Sequence, residues 1–128
     1  SDLELGLQRA CASLLAARPR IVYLPWANEG HPDHHALHHI VVRALERVAF
    51  DGIAFGYEIW NAMVPELLLD VTRVVADKRR ALAAYSSQNA YFDLAHCVLG
   101  LNAYRSIVHG HGKGYFEGYC LLRGRLSD

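Results

Sequence analysis

Apolar residues recur at helical spacing from Asp2 to Arg18, where Leu3, Leu7, Ala10, Cys11, Leu14 and Leu15 share one face. Pro19 opposes continuation of that helix at the residue before it. The pattern then changes to a short, nearly continuous apolar run, Arg20-Ile21-Val22-Tyr23-Leu24-Pro25. A run buried on both faces is the signature of a parallel strand in an α/β layer. The polar loop Trp26-Ala27-Asn28-Glu29-Gly30 follows, and helical periodicity returns over residues 33–49 with Ile40, Val41, Ala44, Leu45 and Val48 as the buried stripe. Helix, strand, loop and helix in this order is the rhythm of βαβ architecture. Residues 52–60, rich in β-branched and aromatic side chains, predict a second strand, and residues 67–71 a short third one. Thr72 is placed to cap a helix that runs to about Tyr85 with Val74, Val75, Ala81 and Leu82 inward. A further helix over residues 91–108 ends in the glycine-rich His109–Gly114, and residues 115–122 predict a last strand. There is no internal repeat, low-complexity segment or linker, so residues 1–128 read as one compact α/β body with a mostly parallel sheet.

Composition narrows the functional classes. Apolar residues make up 52% of the chain and charged residues 20%, enough for a packed core. Thirteen Lys and Arg balance thirteen Asp and Glu for a net charge of zero, so no electrostatic grip on nucleic acid or an anionic membrane is expected. No apolar run approaches the ~20 residues of a membrane span. The sequence opens without Met, inside a helical pattern, which leads to the expectation of a missing upstream part. Cys11, Cys97 and Cys120 are widely spaced and odd in number. They read as buried free thiols in a reducing, cytoplasmic setting.

The chemistry concentrates in His31-Pro32-Asp33-His34-His35-Ala36-Leu37-His38-His39, which holds five of the eight histidines at a strand-to-helix junction. Imidazole and carboxylate are the usual ligands of a zinc-type ion, and imidazole is the usual acid or base near neutral pH. Pro32 suits the first turn of a helix, where a missing N–H costs nothing. It fixes the relative directions of His31, Asp33 and His34. A zinc-protease motif would need a glutamate after the first histidine of an i, i+4 pair, and here that place holds His35. His35 and His39 read as solvated residues of a helix face, and His38 is open between that role and a place in the site.

His31-Pro32-Asp33-His34, opening a helix after an apolar strand, resembles the second motif of the PIG-L/LmbE-like zinc-dependent deacetylases. Arg18-Pro19-Arg20-Ile21-Val22-Tyr23 resembles that family's approach to the motif, and Tyr57-Glu58-Ile59-Trp60 its next strand. Asp70-Val71-Thr72 with Lys78, Ala81-Leu82 and Ser87-Gln88 is similar to its following string, and Gly114–Tyr119 to its closing strand. The family's first motif, His-Pro-Asp-Asp, is absent from the sequence. The resemblance therefore implies the C-terminal portion of a Rossmann-like three-layer α/β/α domain, inactive without an N-terminal part supplied as a separate or missing polypeptide.

What the resemblance implies for the site is specific. His34 would be a ligand to Zn2+ or another divalent metal, His31 the catalytic imidazole beside the oxyanion, and Asp33 the residue that orients His31. The substrate would be an N-acetylglucosamine-type amino sugar or its conjugate, and a homo-oligomer is left open. Glu58, Glu117 and Trp26 are further candidates for substrate contact. Ion pairing with Lys78 or Arg105 is the alternative for the two glutamates, because an unpaired carboxylate in an apolar strand is expensive. Two other function classes stand beside this one: a non-catalytic α/β binding or assembly module, and a histidine-rich surface that buffers metal through His34, His35, His38 and His39.

Overall fold

The computed structural model of the chain describes residues 2–125. Its elements are α1 (Asp2–Ala17), β1 (Ile21–Pro25), α2 (Pro32–Arg47), β2 (Ile53–Tyr57), β3 (Leu67–Asp70), a 3-10 turn (Thr72–Val74), α3 (Val75–Ala83), α4 (Ser86–Asn89), α5 (Leu94–Tyr104), α6 (Ser106–His109) and β4 (Phe116–Arg123). The strands hydrogen-bond in the order β1-β2-β4-β3. β1 and β2 run parallel in the register Ile21↔Ile53 to Pro25↔Tyr57. β4 runs antiparallel to β2, with Phe55 opposite Leu121 and Tyr57 opposite Tyr119.

The sheet is therefore mixed, which corrects the expectation of a mostly parallel one. The reason is written in β4. Phe116 and Gly118 are buried while Glu117 and Tyr119 are only half-buried, the alternation that suits an antiparallel strand rather than a doubly covered parallel one. The described residues group into two compact units, residues 2–66 with 119–125, and residues 67–118.

The first unit is built on β1, α2 and β2. Leu24, Leu45, Phe50 and Ala54 form its buried centre, and Leu14, Val22, Val41, Val42 and Val48 pack against them. Each buried leucine of this kind contributes about 1.5–3 kcal/mol through removal of apolar surface from water. α1 lies close against α2 at Gly6, where an added Cβ would come within 2.9 Å of Ile40 Cδ1. The parallel β1–β2 pair aims the C-terminal end of β1 into the loop at residues 26–30. Ligand sites of α/β sheets form beyond such strand ends.

In the second unit Val71, Leu94, Leu99 and Phe116 are buried. Two expectations change here. Thr72 does not act as a cap: the turn that leads into α3 has Val71 at its N-cap with no side-chain cap bond, and the Thr72 N–H donates to Asp70 Oδ1 at 2.9 Å. Thr72 Oγ1 instead accepts the Tyr115 N–H at 2.9 Å. The helix expected over residues 91–108 begins after Asp93, whose side chain caps His96 N–H, and divides at Arg105 into α5 and α6. Among the described residues no helix is long and apolar enough to cross a membrane.

Candidate functional site

The loop after β1 and the first turn of α2 bring His31, Asp33 and His34 together, as their spacing around Pro32 requires. His31 is the N-cap of α2 with extended backbone (φ −94°, ψ 130°), and Pro32 occupies the first turn. His31 Nδ1 accepts the Asp33 N–H at 3.2 Å. In the neutral ring the proton therefore sits on Nε2, which remains a donor. The Asp33 carboxylate lies 3.9 Å from the same Nδ1 and is largely exposed. So the backbone amide of Asp33, rather than its carboxylate, makes the hydrogen bond that sets the His31 ring. The His31 and His34 rings lie 5.0 Å apart, centroid to centroid.

Sequence reasoning missed the group that holds His34. Glu29, with a side chain 0% exposed, places Oε2 3.2 Å from His34 Nδ1. A carboxylate accepts only, so Nδ1 carries the ring proton and Nε2 is left with its lone pair. This is the arrangement by which a carboxylate sets the tautomer of a metal-binding histidine and raises its basicity. Glu29 itself is gripped by backbone. Its Oε1 accepts the Ile59 N–H at 2.6 Å, and the Trp60 N–H reaches both oxygens at 3.1 Å. Burial pushes its carboxyl pKa up. The hydrogen bonds from Ile59, Trp60, His34 and Asn61 outweigh burial and hold it below the ordinary 4.5. The available signal was a glutamate five residues before His34, but its partners lie some thirty residues later and meet it only after the sheet forms.

Further bonds clamp the same loop to the segment after β2. Trp26 Nε1 donates to Asn61 O at 3.0 Å, and Asn61 Nδ2 donates to Asn28 O at 2.8 Å. Trp26 thus has its one polar side-chain atom occupied by structure. Glu58, in the same unit, accepts the Met63 N–H at 2.7 Å. Glu117 lies in the second unit and pairs with Lys78, which also donates to Asn102 Oδ1 at 2.7 Å. The ion pair foreseen for Glu117 is present, while Glu58 is held by a backbone amide.

The other histidines of α2 are also accounted for. His38 is buried, and its Nδ1–H donates to Pro25 O at 2.7 Å. His35 Nδ1–H donates to Ala27 O at 3.0 Å, and its Nε2 meets His39 Nε2 at 3.0 Å. Among the described residues no group of three or more His, Cys, Asp or Glu side chains is arranged to hold a metal ion. His34 fits the part of one zinc ligand, with its tautomer fixed by Glu29. A catalytic zinc needs about three protein ligands and an open position, so the described residues alone do not make such a site.

No protein-family model matches the sequence. No curated protein matches it either. Similar solved structures exist. A conserved protein of Thermus thermophilus superposes with a TM-score of 0.79 at 25% identity, over 98% of this chain and 61% of that one. The 4-carboxy-2-hydroxymuconate hydratase GalB of Pseudomonas putida KT2440 superposes with a TM-score of 0.73 at 17% identity, again over 98% of this chain and 61% of that one. The chain spans 61% of the length of each of these neighbours, and what it shares with them is an α/β fold.

Proposed function

We propose that the chain is the C-terminal part of a zinc-dependent N-deacetylase, a three-layer α/β/α domain acting on an N-acetylglucosamine-type amino sugar or its conjugate. One observation carries the reading: the fully buried Glu29 on His34 Nδ1, which leaves Nε2 as the only nitrogen of that ring able to bind a metal. A solvated helix-face histidine has no use for a buried carboxylate locked by backbone amides. When bound, the zinc would lower the pKa of its water and polarise the substrate carbonyl.

The residues of this chain then divide the work. His34 would hold the ion together with ligands brought by a polypeptide carrying the His-Pro-Asp-Asp motif. As the imidazolium, with its added Nδ1 proton facing the Asp33 carboxylate, His31 presents Nε2–H toward the reacting acyl group, stabilises the oxygen as it gains charge, and delivers the Nε2 proton to the leaving amine, returning to a neutral ring. The Asp33 amide keeps His31 in the tautomer that donates from Nε2. Asp33's carboxylate, 3.9 Å away, is a counter-charge for that ring when it is protonated. The structural neighbours supply the fold alone, so the substrate class rests on the sequence resemblance around His31-Pro32-Asp33-His34 and is decided by assay.

The test is acetate release from N-acetylglucosamine derivatives by the assembled protein, with His31→Ala beside the wild type. Removal of a positioned acid or base costs about 10²–10⁴ in rate, so His31→Ala should keep its metal and lose turnover to that extent. Equal turnover in both proteins would exclude the role assigned to His31. Absence of acetate release from the wild type, with the metal bound, would favour the binding-module reading.

A further inference from the structure

Once His34 is tied to Glu29 and His38 is buried against Pro25 O, two histidines of α2 remain exposed and one helical turn apart. His35 and His39 place their Nε2 atoms 3.0 Å apart, with ring centroids at 4.4 Å and planes at 82°. Ala27 O can only accept, so the His35 ring proton is on Nδ1 and its Nε2 carries a lone pair. His39 therefore donates from Nε2 to His35. This donor can be replaced: moving the His39 proton to its Nδ1 frees a second lone pair beside the first, with no net proton released from two neutral rings.

Two imidazole nitrogens at this separation have the bite of a chelate. With metal–nitrogen bonds of about 2.0–2.1 Å, a tetrahedral angle spans about 3.4 Å and a square-planar one about 2.9 Å. The observed 3.0 Å lies within that range. We propose that His35 and His39 form a second metal site, separate from His34, that takes a borderline divalent transition ion (Cu2+, Ni2+ or Zn2+) through both Nε2 atoms.

No third His, Cys, Asp or Glu joins the pair among the described residues, so water completes the coordination and the site stays open to exchange. Imidazole ligands favour these ions over Mg2+ or Ca2+, and copper binds tightest of the three. The consequence is local. Because His35 is also anchored on Ala27 O, an ion on the pair staples the first turns of α2 to the loop that carries Glu29. It stiffens the segment that presents His31 and His34 without touching either ring.

The experiment is a calorimetric titration of the chain with nickel chloride, comparing the wild type, His34→Ala, His35→Ala and His39→Ala. The expected result is tight nickel binding that His34→Ala retains and that either His35→Ala or His39→Ala weakens by about tenfold or more. Melting of each variant in chelator confirms that all are folded. Copper bound to the His34→Ala chain gives a second readout, an electron paramagnetic resonance spectrum split by two imidazole nitrogens. The proposal is overturned if nickel binds the wild type no tighter than millimolar. It also fails if His35→Ala and His39→Ala bind as the wild type does, or if His34→Ala alone abolishes binding.

Discussion

Replacing Glu29 by glutamine removes one charge and almost no volume, and so isolates what the carboxylate does. In the wild type its two oxygens accept from Ile59, Trp60 and His34, all around a side chain closed to water. Glutamine can keep one oxygen on Ile59 and Trp60. Its amide nitrogen then meets the second Trp60 contact as donor against donor, and His34 can accept from it only by moving its proton from Nδ1 to Nε2. Hydrogen bonds to a charged group contribute about 1.5–3 kcal/mol, and an orphaned buried donor costs about 1–3 kcal/mol. The expected loss is about 2–3 kcal/mol for Glu29→Gln, and about 3–5 kcal/mol for Glu29→Ala, which strips every partner at once. Urea unfolding followed by far-ultraviolet circular dichroism and by fluorescence measures it well, because Trp60 donates directly to Glu29 and Trp26 shares its loop. The pH dependence has a definite sign. Burial raises the Glu29 pKa, but the backbone and His34 hydrogen bonds lower it by more. Its stabilisation is therefore fully present above the ordinary carboxylate pKa of 4.5 and is lost as pH falls through the lower folded value. The gap between wild type and Glu29→Gln should hold steady above pH 4.5 and narrow as pH falls from there through the folded value. The variant also reverses the His34 tautomer, which should weaken metal binding in the assembled protein by about 10–100-fold. A neutral-pH difference below about 0.5 kcal/mol, the range of an indifferent surface change, would refute the reasoning.

Other positions offer independent checks. Ala49 follows α2 with φ +50°, a left-handed conformation that costs a residue with a Cβ about 1–2 kcal/mol, so Ala49→Gly should raise the urea midpoint. Gly114 sits at φ +82°, where an added Cβ would run into Thr72 Oγ1, the acceptor for Tyr115 N–H. Gly114→Ala should lower stability by about 1–3 kcal/mol in the same assay. Thiol labelling should distinguish the cysteines. Contrary to the burial expected for all three, Cys97 is exposed and Cys11 and Cys120 are only half-buried; burial pushes the Cys120 thiol pKa up and its Sγ lies 3.7 Å from Gly56 O. Peptide mapping after a brief treatment with a disulfide reagent should find Cys97 modified first, and faster modification of Cys120 would contradict its packing.

The parts of the fold that local pattern controls were legible in the sequence. Ile21–Pro25 reads as a strand and is one, parallel to its neighbour β2. The stripe through Val41, Ala44, Leu45 and Val48 is the face of α2 that packs on the core. Pro32 fixes the helix start, and with it the proximity of His31, Asp33 and His34. What was not legible depends on chain closure. The direction of β4 against β2 follows from where the chain returns, and only the alternation around Phe116 and Gly118 hints at it. Glu29 reads as an ordinary loop glutamate until the backbone amides of Ile59 and Trp60 arrive beside it. Thr72 reads as a helix cap, but its Oγ1 is drawn instead to the Tyr115 N–H, a partner forty-three residues later. Five neighbouring histidines look like one metal cluster. Their partners divide them into a clamped His34, a capping His31, a buried His38 and the exposed pair His35 and His39.

The central claim is that His34, set by Glu29, completes a zinc site whose other ligands come from a polypeptide bearing the His-Pro-Asp-Asp motif. Metal analysis of the assembled protein after dialysis against a weak chelator tests it most directly. The comparison is made in a His35→Ala/His39→Ala background that removes the exposed pair, with His34 either intact or replaced by Ala. The account predicts about one tightly held zinc per assembled site with His34 intact, and its loss in His34→Ala, since a catalytic zinc needs about three protein ligands. Zinc retained undiminished by a folded His34→Ala protein would contradict it.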